Sequence, residues 1–289
     1  MEDKESITIR KAVINQAINY IFEHIDEDIM VEDVAKYCSY SKYHLMRMFK
    51  EDMDEALYQF IKRVRLERSA WRLKVEKERS ITEIGETYGY SSSNFATAFK
   101  KHLDISPADY RRSSEQMVED SSFSHGMTLD DLDDAGSKIT VEYLAPFTVL
   151  YERKKGNYHN LSDEWCDFIE KYKYFSTEDT LYIECTIDDP SITDENCCMY
   201  ELCQTVMPDD QKLKEHPEVL LHDFEGGRYA VYHFKGIPQL LFMVYQEVFC
   251  RWLSRTGNEL DERPIIDIYR KVEESGYMEI DICFPLKTK

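Results

Sequence analysis

Two groups of residues in this 289-residue chain have the types and spacing that chemistry requires. In the first, Ser41, Lys42, Tyr43, Met46, Arg47 and Lys50 leave one side of a helical run whose other side is Leu45, Met48 and Phe49. The pattern returns at 92–100, where Ser92, Ser93, Thr97 and Lys100 stand away from Phe95 and Phe99, with Lys101 and Arg111 close behind. Lys and Arg neutralise phosphates, and an Arg fork can hold a guanine edge by two hydrogen bonds, so the chemistry implied is contact with double-stranded DNA. The second group is a set of aromatic residues in a strongly acidic stretch, Tyr151, Trp165, Tyr182, Tyr229 and Tyr269 among them. Ring faces and a carboxylate together suit a small-molecule effector that is cationic or lipophilic.

Charge is divided unevenly between the two groups. Residues 1–112 hold 19 Lys and Arg against 20 Asp and Glu, whereas the remainder holds 17 against 36. The net charge of −20 therefore belongs almost wholly to the second part and does not exclude nucleic acid from the first. Basic residues in the first part also cluster, at Arg63, Arg65, Arg68, Arg72, Lys100, Lys101, Arg111 and Arg112.

The elements that must position the first group are legible from periodicity. The run Val31–Lys50 parallels the run Ile81–Lys100, each a short helix, a Ser-rich turn and a second helix ending in Phe-Lys. Ala35 and Gly85 supply the small residue where two such helices cross, and Ser80 with Glu83 forms a capping box. Leu57 to Lys74 predicts a long helix with Leu57, Phe60, Ile61, Val64 and Trp71 inward, which would space two reading helices about one duplex turn apart. Ser106-Pro107-Ala108-Asp109 predicts a further helix start.

Residues 113–137 are rich in Ser, Asp and Glu and predict a flexible linker. Alternating apolar residues then predict strands near 139–144, 147–154, 181–187, 199–206, 228–235, 265–269 and 278–284, with helices near 160–173 and 239–254. The fold class is multi-domain: an all-α double helix-turn-helix part at 1–112, then a two-layer α+β part at 138–289. Val149–Tyr158 and Ala230–Pro238 echo each other, each a strand entering a Gly turn, which points to internal duplication.

Eight cysteines without a C-x-x-C pair read as reduced thiols, Cys197, Cys198 and Cys203 included, and no metal or cofactor is expected. The charged start at Met1–Lys11 and the lack of a long apolar run place the chain in the cytoplasm, with no membrane partner. No Gly-x-Ser-x-Gly elbow or metal-spaced His pair is present, so catalysis is not expected.

The motifs SKYHLMRMFK and GYSSSNFATAFKKHLDISPADYRR resemble the DNA-binding domain of the AraC/XylS family of bacterial regulators over about residues 10–112. That resemblance implies two recognition helices in successive major grooves, with Tyr43, Met46 and Arg47, and then Ser92, Ser93 and Thr97, reaching base edges. Four departures stand out: Met30 replaces a Ser/Thr cap, the turn after Gly89 is one residue short, Thr97 stands where Arg is common, and Asp104 replaces a Gly. The second helix should therefore position more than it reads.

The order of Lys155-Gly-Asn-Tyr158, Asp188-Asp-Pro190, Gly226-Gly-Arg-Tyr-Ala-Val231, Lys235-Gly236, Trp252-Leu253, Ile266-Asp-Ile-Tyr269 and Phe284-Pro-Leu286 resembles the gyrase-inhibitor-like (GyrI-like) ligand-binding domain. It implies two related repeats with a pocket between them, in which Asp267 meets a cationic, lipophilic ligand. The two resemblances together imply a regulator whose effector changes contact with DNA or with RNA polymerase. A small hydrolase or a protein-docking module is the competing reading of the second part.

Overall fold

The computed structural model describes residues 4–113, 135–136, 138–156, 158–241 and 244–288. The predicted linker at 113–137 lies almost entirely outside them. The chain divides into two compact units, Met1–Gln116 and Met117–Lys289.

The first unit is helical: α1 (Lys4–Glu23), α2 (Val31–Tyr37), α3 (Lys42–Met53), α4 (Leu57–Val75), α5 (Ile81–Thr87), α6 (Ser92–Leu103) and α7 (107–113). Pairs α2/α3 and α5/α6 are the two helix-turn-helix motifs, and their turns are built alike. Tyr40 N–H donates to the Ala35 carbonyl at 2.9 Å, and Tyr90 N–H donates to the Gly85 carbonyl at 3.0 Å. Ser39 (φ 59°) and Gly89 (φ 77°) take the same left-handed turn position. The two turns are therefore of equal span, Ala35 to Tyr40 and Gly85 to Tyr90.

Helix starts follow the side chains available. Ser80 Oγ accepts from Glu83 N–H at 3.1 Å while the Glu83 carboxylate accepts from Ser80 N–H at 2.8 Å, a complete capping box. Met30 offers no oxygen, so only the return half forms, with the Asp33 carboxylate accepting from Met30 N–H at 2.8 Å. Asp54 and Asp104 end α3 and α6 in matching left-handed conformations. Leu57, Phe60, Ile61 and Val64 are buried along α4 as the periodicity requires, each fully buried side chain contributing about 1.5–3 kcal/mol. Trp71, expected with them, is only half-buried.

The second unit is one antiparallel sheet of eight strands carrying helices on one face. The strands are β1 (Thr140–Leu144), β2 (Phe147–Lys155), β3 (Tyr182–Thr186), β4 (Met199–Val206), β5 (Leu221–Phe224), β6 (Gly227–Gly236), β7 (Ile265–Val272) and β8 (Met278–Pro285). Their order, β1-β6-β8-β7-β3-β4-β2-β5, reads as two four-stranded halves related by a pseudo-two-fold between β7 and β3. The predicted strands are all present, and β5 is the one missed. Helices α8 (Leu161–Tyr172) and α10 (Phe249–Thr256) follow the Gly turns at the ends of β2 and β6, and the short α9 (Gln211–Glu215) precedes β5.

Sheet pairing corrects the register of the internal echo. Glu152 and Leu202 pair in one half as Tyr232 and Ile282 pair in the other, so Tyr151 corresponds to Val231 and Val149 to Tyr229. Gly156 and Gly236 then coincide. The two faces alternate as the pleat demands. Val149, Tyr151, Ile183, Cys203, Tyr229, Val231, Ile266 and Ile268 share one apolar core. On the other face, Phe168 and Tyr172 of α8 pack on Leu150, Tyr200 and Leu202, and Phe249 of α10 stacks on Phe284 at 3.5 Å.

The predicted helix at 239–254 is not one regular helix. A 3₁₀ turn at Pro238–Leu240 is followed by a π-helical turn at Val244–Val248 before α10 begins. Such wide turns redirect a side chain that a regular helix would aim elsewhere. Here the side chain is Tyr245.

Candidate DNA interface and candidate ligand site

On α3, Leu45, Met48 and Phe49 are buried, and the opposite side presents Tyr43, Arg47 and Lys50 to solvent, Tyr43 at 83% exposure. Ser41 is the N-cap, accepting from His44 N–H at 3.4 Å. Lys42 is held by Glu32 of α2 at 2.5 Å and Met46 is half-buried at the edge of the face. On α6 the exposed side is built of short groups, Ser92, Ser93 and Thr97, followed by Lys100 and Lys101. The Thr97 hydroxyl donates back to the Ser93 carbonyl at 3.0 Å, so its hydrogen is used within the helix. Thr97, Lys100, Lys101 and Ser106 line a shallow hollow of about 470 Å³.

The two helices are unlike in reach. Long donors project from α3, whereas α6 offers hydroxyls and a pair of ammonium groups.

Several basic residues grouped by sequence turn inward instead. Arg111 donates to the Leu73 carbonyl at 3.4 Å and the Arg79 carbonyl at 2.8 Å, tying α7 to the end of α4. Arg63 pairs with Glu55 and Glu67, Arg65 donates to the Ile25 and Glu27 carbonyls, and buried Arg72 pairs with Glu76. Arg68 lies over the Phe22 ring at 5.7 Å. These forks satisfy helix-end carbonyls and carboxylates, a role that charge counting cannot separate from phosphate binding.

In the second unit the sheet brings Asp267, Tyr269, Tyr182 and Trp165 together on the helix face. The Trp165 ring lies 5.3 Å from Tyr269 and 6.2 Å from Tyr182, edge-on to both. Tyr151 and Tyr229 do not join them. They point into the opposite core, as their places in the strand alternation require, and Tyr229 is covered by the Arg263 guanidinium at 4.8 Å.

Sequence reasoning missed the residue that completes the site. Glu184 of β3 stands directly opposite Asp267 of β7, and both are buried, each 4% exposed. Tyr269 O–H donates to Glu184 Oε2 at 2.8 Å, and Tyr245 O–H donates to Asp267 Oδ2 at 2.5 Å. The arrangement follows the pseudo-two-fold: Ile183-Glu184-Cys185 pairs with Ile268-Asp267-Ile266. Trp165 stands nine residues after Gly156 and Tyr245 nine after Gly236. That repeat, with Glu184 two residues from Tyr182 on the same strand face, was the available signal.

Burial pushes the Glu184 carboxyl up to about 7, partly offset by Tyr269 and Trp165. Burial and then the Glu184 charge hold Asp267 well above the usual carboxylate range. Asp267 Oδ1 and the buried Tyr158 hydroxyl have no hydrogen-bond partner among the described residues. Two desolvated carboxyls stand there beside ring edges and unpartnered oxygens, and a negative charge on either is costly to hold in that setting.

Another buried group, Cys185, Glu201 and Cys203, lies on the core face with its ligand atoms within 4.8 Å of one another. Glu201 is paired with the Arg153 guanidinium, and burial raises both thiols, which keeps them neutral. That is core packing with one internal ion pair. Cys197, singled out by sequence, lies apart from it, and Cys198 is bonded to the Thr193 carbonyl. Among the described residues no helix is long and apolar enough to cross a membrane.

A double helix-turn-helix unit joined to a sheet unit with a buried acidic site defines a class, DNA-binding domains coupled to small-molecule sensors. Residues 34–113 match a helix-turn-helix domain family, and residues 137–287 match the GyrI-like small molecule binding domain. The chain belongs to the GyrI-like family, with an AraC-type helix-turn-helix domain in front of that unit.

The helical unit is similar to known regulators. It is 38% identical to the transcriptional regulator Rob of Salmonella typhimurium over 104 residues, 36% of each chain. It is 37% identical to the regulatory protein SoxS of Escherichia coli over 100 residues, 34% of this chain and 92% of SoxS. The chain thus spans about a third of Rob and nearly all of SoxS. Among solved structures, the C-terminal domain of the response regulator AraT of Geobacillus stearothermophilus is 34% identical, with 35% of this chain and 84% of that one covered and a TM-score of 0.34.

Proposed function

We propose that the protein is a one-component transcription regulator, in which the GyrI-like unit binds a lipophilic cation and thereby changes the affinity of the double helix-turn-helix for its operator. The observation that carries the ligand reading is the Glu184–Asp267 pair, buried opposite each other under Trp165, Tyr182 and Tyr269. A full negative charge in that setting is costly, and an organic cation with aryl groups relieves it while covering the rings. For DNA, the support is the exposed Tyr43, Arg47 and Lys50 of α3 with Lys100 and Lys101 of α6. The effector acts only as far as it binds one DNA-affinity state better than the other. Contact with RNA polymerase and a cytoplasmic setting belong to the same proposal.

Tetraphenylphosphonium titrated against the full chain, with Trp165 fluorescence as the reporter, tests the ligand half. Saturable quenching that is lost in the double variant Glu184→Gln/Asp267→Asn supports it. Equal binding by that variant refutes it. A hydrolase is the second reading, favoured by a Glu184 carboxyl poised near neutrality as a general acid or base. Turnover of a small electrophile that ceases in Glu184→Gln distinguishes the two.

A further inference from the structure

The carboxylate pair has a property that a single buried acid lacks. Glu184 and Asp267 are cross-strand neighbours on the two central strands, so their Cβ atoms are about 4.5–5.5 Å apart. Two anions that close in an apolar site repel strongly, and a lone monocation would neutralise only one of them. The titratable groups that interact with the pair from the packed elements are Tyr269 of β7, Tyr245 of the π turn, Tyr158 of the turn before α8, Tyr200 and Cys203 of β4, and Cys283 of β8. None of these groups is a cation. The Tyr245 and Tyr269 hydroxyls are already directed at the site, and that of Tyr158 is stranded in it.

We propose that the Glu184–Asp267 pair is an exchange site, releasing one proton for each positive charge a ligand brings, so that the site accepts monocations and dications with its net charge unchanged. The proposal rests on the cation-receptor reading above and adds its stoichiometry. In the proposal the free protein holds both carboxyls protonated near pH 6, in keeping with their close burial, with Glu184 raised to about 7 and with Asp267 raised well above the usual carboxylate range. A monocation enters as one carboxyl O–H bond breaks. The proton passes to bulk water, and the carboxylate left behind is the counter-ion. The second carboxyl keeps its proton and becomes a hydrogen-bond donor to the first, or to the unpartnered Asp267 Oδ1 if that group ionised. A dication removes the second proton in the same way. Because the pair lies on the pseudo-two-fold, either carboxyl can be the first to ionise.

Isothermal titration of the full chain at pH 6 in buffers of different ionisation enthalpy measures the exchange. The probes are tetraphenylphosphonium and p-phenylene-bis(trimethylammonium), which carry permanent charges and no protons of their own. The expected release is about one proton for the first probe and about two for the second, with affinities that increase about tenfold and a hundredfold for each unit by which pH is raised toward neutrality. In Glu184→Gln the dication should release only one proton, provided circular dichroism shows the sheet intact. Tight binding of either probe without proton release overturns the exchange and leaves the cation-receptor reading standing. Failure of both probes to bind overturns that reading, and the exchange with it.

Discussion

The ring of Phe95 rests against Gly85, so close that a Cβ on residue 85 would lie 2.7 Å from Phe95 Cγ. The equivalent contact in the first motif has Ala35, 2% exposed, where α2 meets α3. The second motif is therefore set by a missing methyl group. Gly85→Ala should push α6 off α5 and destabilise the first unit by about 1–3 kcal/mol. A denaturant midpoint shift with loss of specific DNA binding would bear this out, and a variant of unchanged stability would show that Phe95 has room to move.

The inequality between α3 and α6 makes a separate prediction. Arg47→Ala should cost about 1–3 kcal/mol of operator binding and relax the preference at one base pair. Thr97→Ala should cost less than about 0.5 kcal/mol, since its hydroxyl is already bonded to the Ser93 carbonyl. Binding to a library of operator variants measures both, and equal losses of sequence preference would contradict the assignment of reading to α3.

Lys100 and Arg111 divide roles that charge alone would merge. Lys100→Ala should lower the slope of log affinity against log salt by roughly one, leaving stability unchanged. Arg111→Ala removes the donor to the Leu73 and Arg79 carbonyls and should lower the denaturant midpoint, with loss of about 1–3 kcal/mol. Salt-series binding and denaturant midpoints separate the two, and a stable Arg111→Ala would show that those carbonyls find other donors.

The raised Glu184 carboxyl carries a pH signature. Its ordinary value is 4.5 and its folded value about 7, so the folded chain binds the extra proton across that window. Stability of the sheet unit is then full below about pH 4.5 on this account and falls as pH climbs to about 7, by up to roughly 3 kcal/mol from this group. Glu184→Gln should flatten that fall. A melting profile of the variant parallel to the parent's across the window would contradict it.

Both helix-turn-helix motifs, the starts of α3, α4, α5 and α6, and seven of the eight strands are legible in the sequence because their signals are local: caps, Gly turns, and periods of 3.6 and 2. Strand β5 was not, being short and only partly buried at the sheet edge. Site composition was legible only in part. Asp267, Tyr269, Tyr182 and Trp165 do meet, whereas Tyr151 and Tyr229 face the other way because strand parity was not carried through the aromatic residues. Glu184 went unseen because register between β3 and β7 is a long-range fact, 83 residues apart in the chain for the Glu184–Asp267 pair. The inward arginines escaped for a related reason, since a guanidinium's partner is chosen by tertiary packing.

The central claim is that this chain reads DNA through its first unit under the control of a cation in its second. Selection of bound duplexes from a random pool by the full chain, followed by affinity measurements with and without tetraphenylphosphonium, tests it most directly. The account predicts one enriched motif long enough for two successive major grooves, bound with an affinity that the cation shifts and that Glu184→Gln/Asp267→Asn leaves unshifted. A pool without enrichment, or a motif bound identically with and without a cation that demonstrably occupies the second unit, would contradict it.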